Sequence, residues 1–408
     1  MSAAATFAAL LTRAVRRSFA FKITLLILAW LLLAIACQQV PAGAFWPVVF
    51  GALTTPVALL LTGGLALYWL RRNWRVAILP ILALVLTWPQ VQRGLALNLF
   101  HASEASMEKS KQLPGGKTIH STFFKPEADK VLLLSSNVRI FNVYSQLRDP
   151  DNTSSKEFIR WLADSPADVL CLQEYYNEPR GSRDDKNLFQ TDDKLGRGSG
   201  RHSFISVTLT NGIGAEFGLA IFSRFTIVRR GTIAFGRLTQ NHAMWADLAR
   251  PANRTGRNRP DTIRVYNMHL QSMSMDEADI VTATASRAGL RQKAPNLLRR
   301  FRNGAVARGA QIDTVLEHAA RSPYPVLLAG DLNDLPYSYA YDQLADRMQN
   351  AWATVGTGIG ATYNGKLPGL RIDQQFAGPK WHVLDCRVHR EIKWSDHFPI
   401  EALYQLRR

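Results

Sequence analysis

The sequence predicts an α/β domain that follows a hydrophobic N-terminal region of two or three transmembrane helices. Residues 1–103 contain eight basic and no acidic residues among long apolar runs, and they carry +8 of the net charge of +17. Beyond residue 130, short apolar runs typical of buried strands alternate with segments whose apolar residues recur at helical spacing. The 408 residues suffice for one large domain plus extra segments. We therefore divide the chain into a transmembrane anchor (1–100), a linker (101–129) and a folded domain (130–408).

The N-terminal region is predicted to cross a membrane. The run Ile23–Ala36, which extends back to Phe19 past Lys22, is apolar, and Trp46–Leu70 contains 25 residues without a charge. Both can span a hydrocarbon core of about 30 Å, which needs roughly 20 residues. A third run, Val76–Trp88, is shorter and contains a proline. A cleaved signal peptide is the alternative for the first run, but the second run favours a multi-pass anchor.

Basic residues predict the orientation of this anchor. Four precede the first run and three follow the second, whereas the intervening loop carries no charge: Arg13, Arg16, Arg17 and Lys22, then Arg71, Arg72 and Arg75. The positive-inside rule places both basic clusters in the cytoplasm. If the third run also crosses the membrane, the protein is a multi-pass membrane protein and its folded domain is extracytoplasmic.

The folded domain follows a polar linker that contains Pro114-Gly115-Gly116. Phe158, Ile159 and Leu162 share one face of a predicted helix, and the Gly-containing, charged stretch 177–201 predicts a mobile surface loop. Further strands are predicted at 204–210, 217–222 and 243–248, and a helix at 312–319. Of the three cysteines, Cys171 and Cys386 lie in strand-like runs; buried thiols are the default and a disulfide is the alternative.

Polar residues stand at the ends of several predicted strands. The strand ends are Val131–Ser136 before Asn137, Asp168–Gln173 before Glu174, Thr262–Met268 before His269, and Tyr324–Ala329 before Gly330-Asp331-Leu332-Asn333-Asp334; Ser395-Asp396-His397 precedes Phe398-Pro399. Asp331 and Asn333 are separated by one residue, so on an extended strand end both project to one side. A carboxylate and an amide side by side suit phosphate chemistry, since one can hold or deprotonate a water while the other donates to an oxyanion.

This ordered set of residues resembles the endonuclease/exonuclease/phosphatase superfamily, which includes deoxyribonucleases, abasic-site endonucleases, neutral sphingomyelinases and inositol-polyphosphate phosphatases. The resemblance covers roughly residues 128–405. It implies a four-layer sandwich of two packed mixed β-sheets flanked by helices, and metal-dependent hydrolysis of phosphate esters.

A metal site is expected at Glu174 and Asn137. A single hard carboxylate beside an amide fits Mg²⁺, which keeps several waters and uses few protein ligands, and Mn²⁺ is the alternative. The resemblance implies that Asp396 supports the metal through water.

The resemblance also implies the catalytic roles. Asp331 would orient or deprotonate the attacking water, and Asn333 would hold this water or a phosphoryl oxygen. His397, polarised by Asp373, and His269 would contact the phosphate. Pairing with a carboxylate raises the pKa of a histidine and fixes its orientation.

Arg139 departs from the pattern of one branch. Abasic-site endonucleases carry an acid two residues beyond the motif asparagine, where this chain has Arg139. With His269, this difference argues against that branch and leaves phosphodiesterases and phosphatases open.

The predicted substrate is a phosphate ester, and membrane lipids are the predicted partner. Between Ser286 and Arg308, seven basic residues are interleaved with apolar ones, a composition that suits anionic headgroups or nucleic-acid phosphates, or a solvated helix face. Lipid headgroup hydrolysis is favoured slightly over a membrane-tethered nuclease. The alternative of another class is a non-catalytic phosphate- or lipid-binding protein on the same fold, and no obligate protein partner is inferred.

Overall fold

A computed structural model of the chain describes residues 18–98, 129–144, 146–147, 149–181, 187–236, 241–250, 262–272 and 287–407. Nearly all of the linker predicted at 101–129 lies outside these residues. The helices are α1 (Phe19–Gln38), α2 (Val48–Leu53), α3 (Thr55–Arg72), α4 (Trp74–Leu86), α5 (Trp88–Gly94), α6 (Thr153–Asp164), α7 (Thr191–Leu195), α8 (Arg287–Ala320), α9 (Tyr339–Ala345) and α10 (Ala351–Val355). The strands are β1 (Ala96–Leu97), β2 (Lys130–Asn137), β3 (Val169–Asn177), β4 (His202–Thr210), β5 (Glu216–Ser223), β6 (Thr226–Ala234), β7 (His242–Ala249), β8 (Thr262–His269), β9 (Val326–Asp331), β10 (Gln349–Asn350), β11 (Thr357–Gly358), β12 (Asp373–Ala377), β13 (Trp381–Val388) and β14 (Ile400–Leu406).

Two six-stranded mixed sheets form the centre of the domain. Their strand orders are β13-β14-β2-β3-β5-β4 and β10-β12-β9-β8-β7-β6. The pairs β2–β3 and β8–β9 are parallel, and the other neighbours are antiparallel. The parallel pairs matter for function because the carboxyl ends of their strands reach the same edge of each sheet.

Apolar side chains pack between the two sheets and on both outer faces. Val131, Ile221 and Val265 are among the fully buried residues of the central layer. Helix α6 covers the outer face of the first sheet through Phe158, and helices α8 and α9 cover that of the second. The prediction of two packed mixed sheets flanked by helices is confirmed.

The stretch predicted as a mobile loop contains a short helix in its described part. Within the described residues 187–201, helix α7 begins at Thr191, and Phe189 and Leu195 are buried against the outer face of the first sheet. The prediction is wrong there because these apolar side chains supply burial that outweighs the neighbouring glycines and charges. Cys171 and Cys386 are buried free thiols, as the default predicted.

The uninterrupted span expected over Trp46–Leu70 does not form. The chain divides at Thr54, which ends α2 and precedes α3, and Pro56 lies in the first turn of α3. A proline there has no backbone N–H to continue the preceding helix. A similar break separates α4 from α5, where Pro89 lies in the first turn of α5.

One described helix, α1, is by itself long and apolar enough to cross a membrane. Helices α4 and α5 would pass only as a pair, and they are bent by 66° at the break between them. Two or three membrane helices were expected, and the structure supports one, the apolar N-terminal helix α1. Several large apolar side chains of α1 are exposed on the surface of the protein, including Leu26 and Leu32.

The N-terminal helices pack directly against the domain. Arg93 of α5 forms a buried ion pair with Asp342 of α9, and the guanidinium of Arg371 donates to the carbonyl of Arg93. The hydroxyl of Tyr337 donates to the carbonyl of Gln90 at 3.2 Å. Strand β1 also pairs with β11 of the domain. The N-terminal helices and the domain thus share a buried interface that includes polar contacts, which the sequence did not reveal.

Candidate active site

Strand ends bring the predicted site residues to one edge of the two sheets. Asn137 ends β2, and Glu174 lies in β3 where the pairing with β5 shifts between Leu172 and Tyr175. His269 ends β8 directly opposite Asp331 at the end of β9. Asp373 begins β12 opposite Asp331 on its other side. Four of these residues terminate or begin strands, so the β-framework fixes their positions.

Asp331 lies at the centre of the cluster. Its Oδ2 is 3.1 Å from Asn137 Nδ2, 3.7 Å from His269 Nε2 and 3.9 Å from His397 Nε2. Only the contact with Asn137 is a hydrogen bond, because the two histidine distances are too long. The side chain is almost fully buried. A single carboxylate oxygen therefore faces an amide and two imidazoles.

Glu174 joins the cluster through the same amide. Asn137 Nδ2 also donates to Glu174 Oε1 at 3.0 Å, and this oxygen is 3.9 Å from His269 Nε2. The side chain of Glu174 is 38% exposed to solvent, whereas that of Asp331 is 1% exposed. Glu174 is therefore the carboxylate of the pair that solvent can reach.

His397 is paired with Asp373, as the resemblance implied. Nδ1 of the imidazole is 2.8 Å from Oδ2 of the carboxylate, and both side chains are buried. Burial lowers the pKa of His397, but the Asp373 and Asp331 carboxylates outweigh it and raise the pKa to about 10. Burial likewise raises the pKa of Asp373, against the opposing charge of His397. The Asp373 carboxylate therefore favours the protonated imidazole, whose Nε2 faces Asp331.

Asn333 supports the loop after β9. Its backbone N–H donates to Asp331 Oδ1 at 2.8 Å, and its side-chain NH₂ donates to the carbonyl of Leu270 at 3.1 Å. These bonds connect Asp331 with the chain that follows His269. Asn333 thus lies beside the cluster and orients Asp331, but it does not project from an extended strand end as expected, because the strand ends at Asp331 and Asn333 has φ of 50°.

Asp396 lies on another side of the cluster. Its Oδ2 is 3.2 Å from Nε of Arg139, and its Oδ1 accepts from Ser395 Oγ at 3.3 Å. The cation that distinguishes this chain from abasic-site endonucleases therefore pairs with the residue predicted to support a metal.

Unusual backbone conformations concentrate around these side chains. Arg139 to Asn142 are four successive residues with φ between 46° and 53°, and Glu174 and Asn333 have φ of 48° and 50°. Such conformations are costly for residues other than glycine and cluster at functional sites. At Gly330, with φ of 148°, an added Cβ would lie 1.9 Å from the carbonyl oxygen of Met268, so only glycine fits before Asp331.

The family comparison agrees with this geometry. The sequence profile of the Endonuclease/Exonuclease/phosphatase family matches residues 140–397, which is more than half of the chain.

The chain belongs to the endonuclease/exonuclease/phosphatase family.

Members of this family typically hydrolyse phosphoester bonds. A second profile, a domain of unknown function (DUF8431), matches residues 16–94 and so covers the N-terminal helices. None of the curated proteins matches the chain.

Solved structures with a similar fold come from several organisms. The endonuclease/exonuclease/phosphatase from Beutenbergia cavernae is 18% identical, with a TM-score of 0.47 over 68% of this chain and 72% of that one. The catalytic domain of human nocturnin with bound sulfate is 15% identical, with a TM-score of 0.47 over 69% and 95%. A mannosyl-6-phosphatase from Bacteroides thetaiotaomicron is 15% identical, with a TM-score of 0.42 over 67% and 99%.

The family generally uses a divalent metal ion, and the donor set fits one. Glu174 and Asp331 present hard carboxylate oxygens that share one amide donor, which suits Mg²⁺ or Mn²⁺. The amide oxygen of Asn137 accepts from the backbone N–H of Arg139 at 3.0 Å, so Asn137 faces the carboxylates with its NH₂. It holds Glu174 in place through this donor.

A second group of possible ligands is less suitable. Atoms of Asp331, Asp373 and His397 lie within 4.8 Å of one another. However, His397 Nδ1 and Asp373 Oδ2 are hydrogen-bonded to each other at 2.8 Å, so each residue already uses one of its possible ligand atoms. Glu174 is therefore the better centre for a cation.

Sequence reasoning missed the residues that support the cluster. Thr362 Oγ1 accepts from the backbone N–H of Asp373 at 3.0 Å, and the ring of Tyr363 packs edge-on against His397. Asn267 links the two sheets by accepting from Gln173 Nε2 at 2.6 Å. Gln173 directly precedes Glu174, and Asn267 lies two residues before His269; this nearness to predicted site residues is the one signal that could have identified them.

Proposed function

We propose that this protein is a membrane-anchored, Mg²⁺-dependent phosphoesterase that hydrolyses a phosphate ester by attack of water, with lipid headgroups as the favoured substrates. The observation that carries the proposal is the convergence of Asp331, Glu174, His269 and His397 at one sheet edge. A buried carboxylate between two imidazoles and a second, solvent-accessible carboxylate meet the needs of phosphate hydrolysis: a base for water, donors to the phosphoryl oxygens, and a place for a cation.

Each residue has a distinct role in this proposal. Asp331 orients the attacking water and accepts its proton, because Asn137 and Asn333 hold the carboxylate in one position. His397, kept protonated by Asp373, donates from Nε2 to a phosphoryl oxygen and offsets its charge. His269 donates to the same phosphoryl group from the opposite side of Asp331.

Glu174 is the principal metal ligand in the proposal, and Asp396 supports the ion through water. When bound, Mg²⁺ would polarise the phosphoryl group and neutralise developing negative charge. Asn137 positions Glu174 for this task by its hydrogen bond to Oε1.

Membrane attachment is supported by the apolar surface of the N-terminal helices. Large side chains of α1 and α3 are widely exposed, among them Leu32 at 66% and Leu60 at 77%. Such surface is costly in water and typical of contact with lipid. Three crossings, by α1, by α2 with α3, and by α4 with α5, would place the catalytic domain outside the cytoplasm.

The position of helix α8 supports a lipid substrate over nucleic acid. Phe301 of α8 stacks on Phe50 of α2 at 5.3 Å, and the guanidinium of Arg302 lies 5.7 Å above the ring of Trp46. Part of the basic helix thus lies beside the proposed membrane helices, where cations attract anionic headgroups. Arg308, which the sequence grouped with these cations, is instead buried in an ion pair with Asp334 at 2.8 Å. It stabilises the loop that carries Asn333.

An assay of the full chain in detergent tests the activity. Mixed phospholipid vesicles, plasmid DNA and bis(p-nitrophenyl) phosphate are each incubated with MgCl₂ or with EDTA. We expect Mg²⁺-dependent hydrolysis, faster on the vesicles than on the plasmid, and loss of turnover in Asp331→Asn. Hydrolysis that persists in Asp331→Asn would overturn the proposed mechanism, and hydrolysis of plasmid alone would establish the nuclease alternative. No hydrolysis with Mg²⁺ or Mn²⁺ would favour a binding protein.

A separate test concerns the side of the membrane. A reporter active in only one compartment is fused after Arg408. Activity outside the cytoplasm would support three crossings, whereas activity inside it would refute the proposed orientation.

A further inference from the structure

A cavity of about 750 Å³ opens beside the catalytic cluster. Its wall includes three basic residues, Arg139, Lys366 and Lys393, and the aromatic residue Trp394. Neither Lys366 nor Lys393 has a role in the active site proposed above. We name this cavity the anion pocket.

The anion pocket adjoins the reacting centre through two short segments of chain. Asp396 lines it and directly precedes His397, and Tyr363 lines it while forming a β-bridge with His397. The backbone N–H of Asn364 donates to the carbonyl of Asp396 at 2.7 Å, and its side chain donates to the carbonyl of Ser395 at 3.1 Å. A ligand that reaches His397 therefore has the anion pocket next to it.

The carboxylates of the anion pocket already have partners. Both oxygens of Asp149 accept hydrogen bonds from Ser154, at 2.8 and 2.9 Å, and Asp396 pairs with Arg139. Three cations against two carboxylates leave the wall positive, and Lys366 and Lys393 are exposed. Concave sites with excess positive charge concentrate anions.

The wall is also held in a defined shape. Asn142 ends the left-handed turn that begins at Arg139, and its side chain donates to the carbonyl of Trp394 at 2.7 Å. The ring of Trp394 in turn packs against Phe158 of α6. All three cations line this one concavity, which suits a compact anionic group.

We propose that the anion pocket binds a second phosphoryl group of the substrate, so that the scissile phosphoester belongs to a compound that carries two phosphoryl groups. The inference rests on the proposed phosphoesterase function, because the first phosphoryl group is assigned to the cluster around Asp331. Lys366 and Lys393 then determine substrate specificity, and the length of the linker between the two groups is selected by the protein.

Binding of non-hydrolysable ligands tests this inference independently of turnover. The full chain in detergent, with MgCl₂, is titrated by calorimetry with propylphosphonate and with a series of linear alkane-1,n-bisphosphonates. At the best chain length we expect affinity at least about tenfold above that of propylphosphonate, equivalent to about 1.4 kcal/mol. If the protein has no second subsite, a bisphosphonate should bind only about twofold more tightly than propylphosphonate, because either of its ends can bind the first site.

Two variants and a control assign the gain to the lysines. In Lys366→Gln/Lys393→Gln we expect the gain to fall to about twofold, and Lys393→Gln alone should lose part of it. Lys380→Gln is the matched control, since Lys380 is exposed in the turn between β12 and β13 and does not line the pocket. Thermal unfolding confirms that the variants fold.

Three results would overturn the proposal. The first is a gain in affinity of no more than about twofold at every chain length, and the second is a gain that survives the double substitution. The third is binding of a thymidine tetranucleotide that depends on the two lysines, when binding of the bisphosphonates does not depend on them. The last result would assign the pocket to nucleic acid. A protein that binds the bisphosphonates as expected but hydrolyses nothing would contradict the proposed function and not the subsite.

Discussion

Asp373 Oδ2 lies 2.8 Å from Nδ1 of His397, and the pair is buried one strand away from Asp331. This contact and the nearby Asp331 carboxylate together outweigh burial, which alone would favour the neutral ring, and raise the pKa of His397. It also leaves Nε2 pointing toward the carboxylate of Asp331 at 3.9 Å. A protonated, oriented donor is thereby held next to the proposed base.

Asp373→Asn should reduce kcat by about 10²–10⁴. The amide keeps the shape of the side chain but removes the charge that stabilises the imidazolium. Wild-type activity should fall as the pH rises through about 10, where His397 loses its proton, and the alkaline limb of the variant should lie at lower pH. The measurement is a pH profile of bis(p-nitrophenyl) phosphate hydrolysis. Asp346→Asn, at an exposed position after α9, is the control, and an unshifted limb in Asp373→Asn would disprove the role of the pair.

Glu174→Gln should weaken the response to Mg²⁺ more than it weakens substrate binding. The substitution removes a hard anionic ligand while retaining an oxygen that can accept from Asn137. We expect the Mg²⁺ concentration for half-maximal activity to rise at least about tenfold, in line with the usual cost of disturbing a metal site. Glu317→Gln, on the remote part of α8, is the control. Equal Mg²⁺ dependence in Glu174→Gln and wild type would show that the cation binds elsewhere.

The spatial convergence of the candidate site residues could be predicted from sequence because strand ends are local signals. Apolar runs followed by Asn137, Glu174, His269 and Asp331 mark the sheet edge, and parallel pairing then brings the ends together. The resemblance supplied the remaining partner, Asp373. The family and the two-sheet fold can accordingly be predicted from the sequence alone.

The contacts between the N-terminal helices and the domain could not be predicted in this way. Arg93 and Asp342 are 249 positions apart in the sequence, and neither lies in a pattern that indicates its partner. Arg139 and Asp396 illustrate the same limit within the site. The breaks at Thr54 and Thr87 follow from Pro56 and Pro89, which hydropathy counting ignores.

Arg93→Gln should destabilise the packing of the N-terminal helices on the domain. It leaves Asp342 buried without its counter-charge, which typically costs about 3–5 kcal/mol. The double variant Arg93→Met/Asp342→Leu should be less destabilised than the sum of its single variants, because it buries no unpaired charge. Thermal unfolding in detergent and the rate of limited proteolysis measure the effect. Arg75→Gln, at an exposed position, is the control, and additive costs in the double-variant cycle would argue against a coupled pair.

His389 should make stability depend on pH at a site remote from catalysis. Burial lowers its pKa, but Glu391, with Nδ1 at 2.9 Å from Oε1, and Glu401 outweigh burial and raise the pKa to about 9. Because the folded pKa exceeds the ordinary value of about 6.5, the stabilisation is fully present below pH 6.5 and is lost as the pH rises through 9.

The expected contribution of His389 is about 1–3 kcal/mol, reduced from its upper limit because Glu391 is 40% exposed. Thermal unfolding of wild type and His389→Gln at pH 6, 7.5 and 10 measures it, with the exposed His382→Gln as the control. The difference between wild type and His389→Gln should be largest at pH 6 and smallest at pH 10, because only the charged ring benefits from both carboxylates. A difference that stays constant over this range would mean that His389 stabilises the turn before β14 by packing against Trp161 and not by its charge.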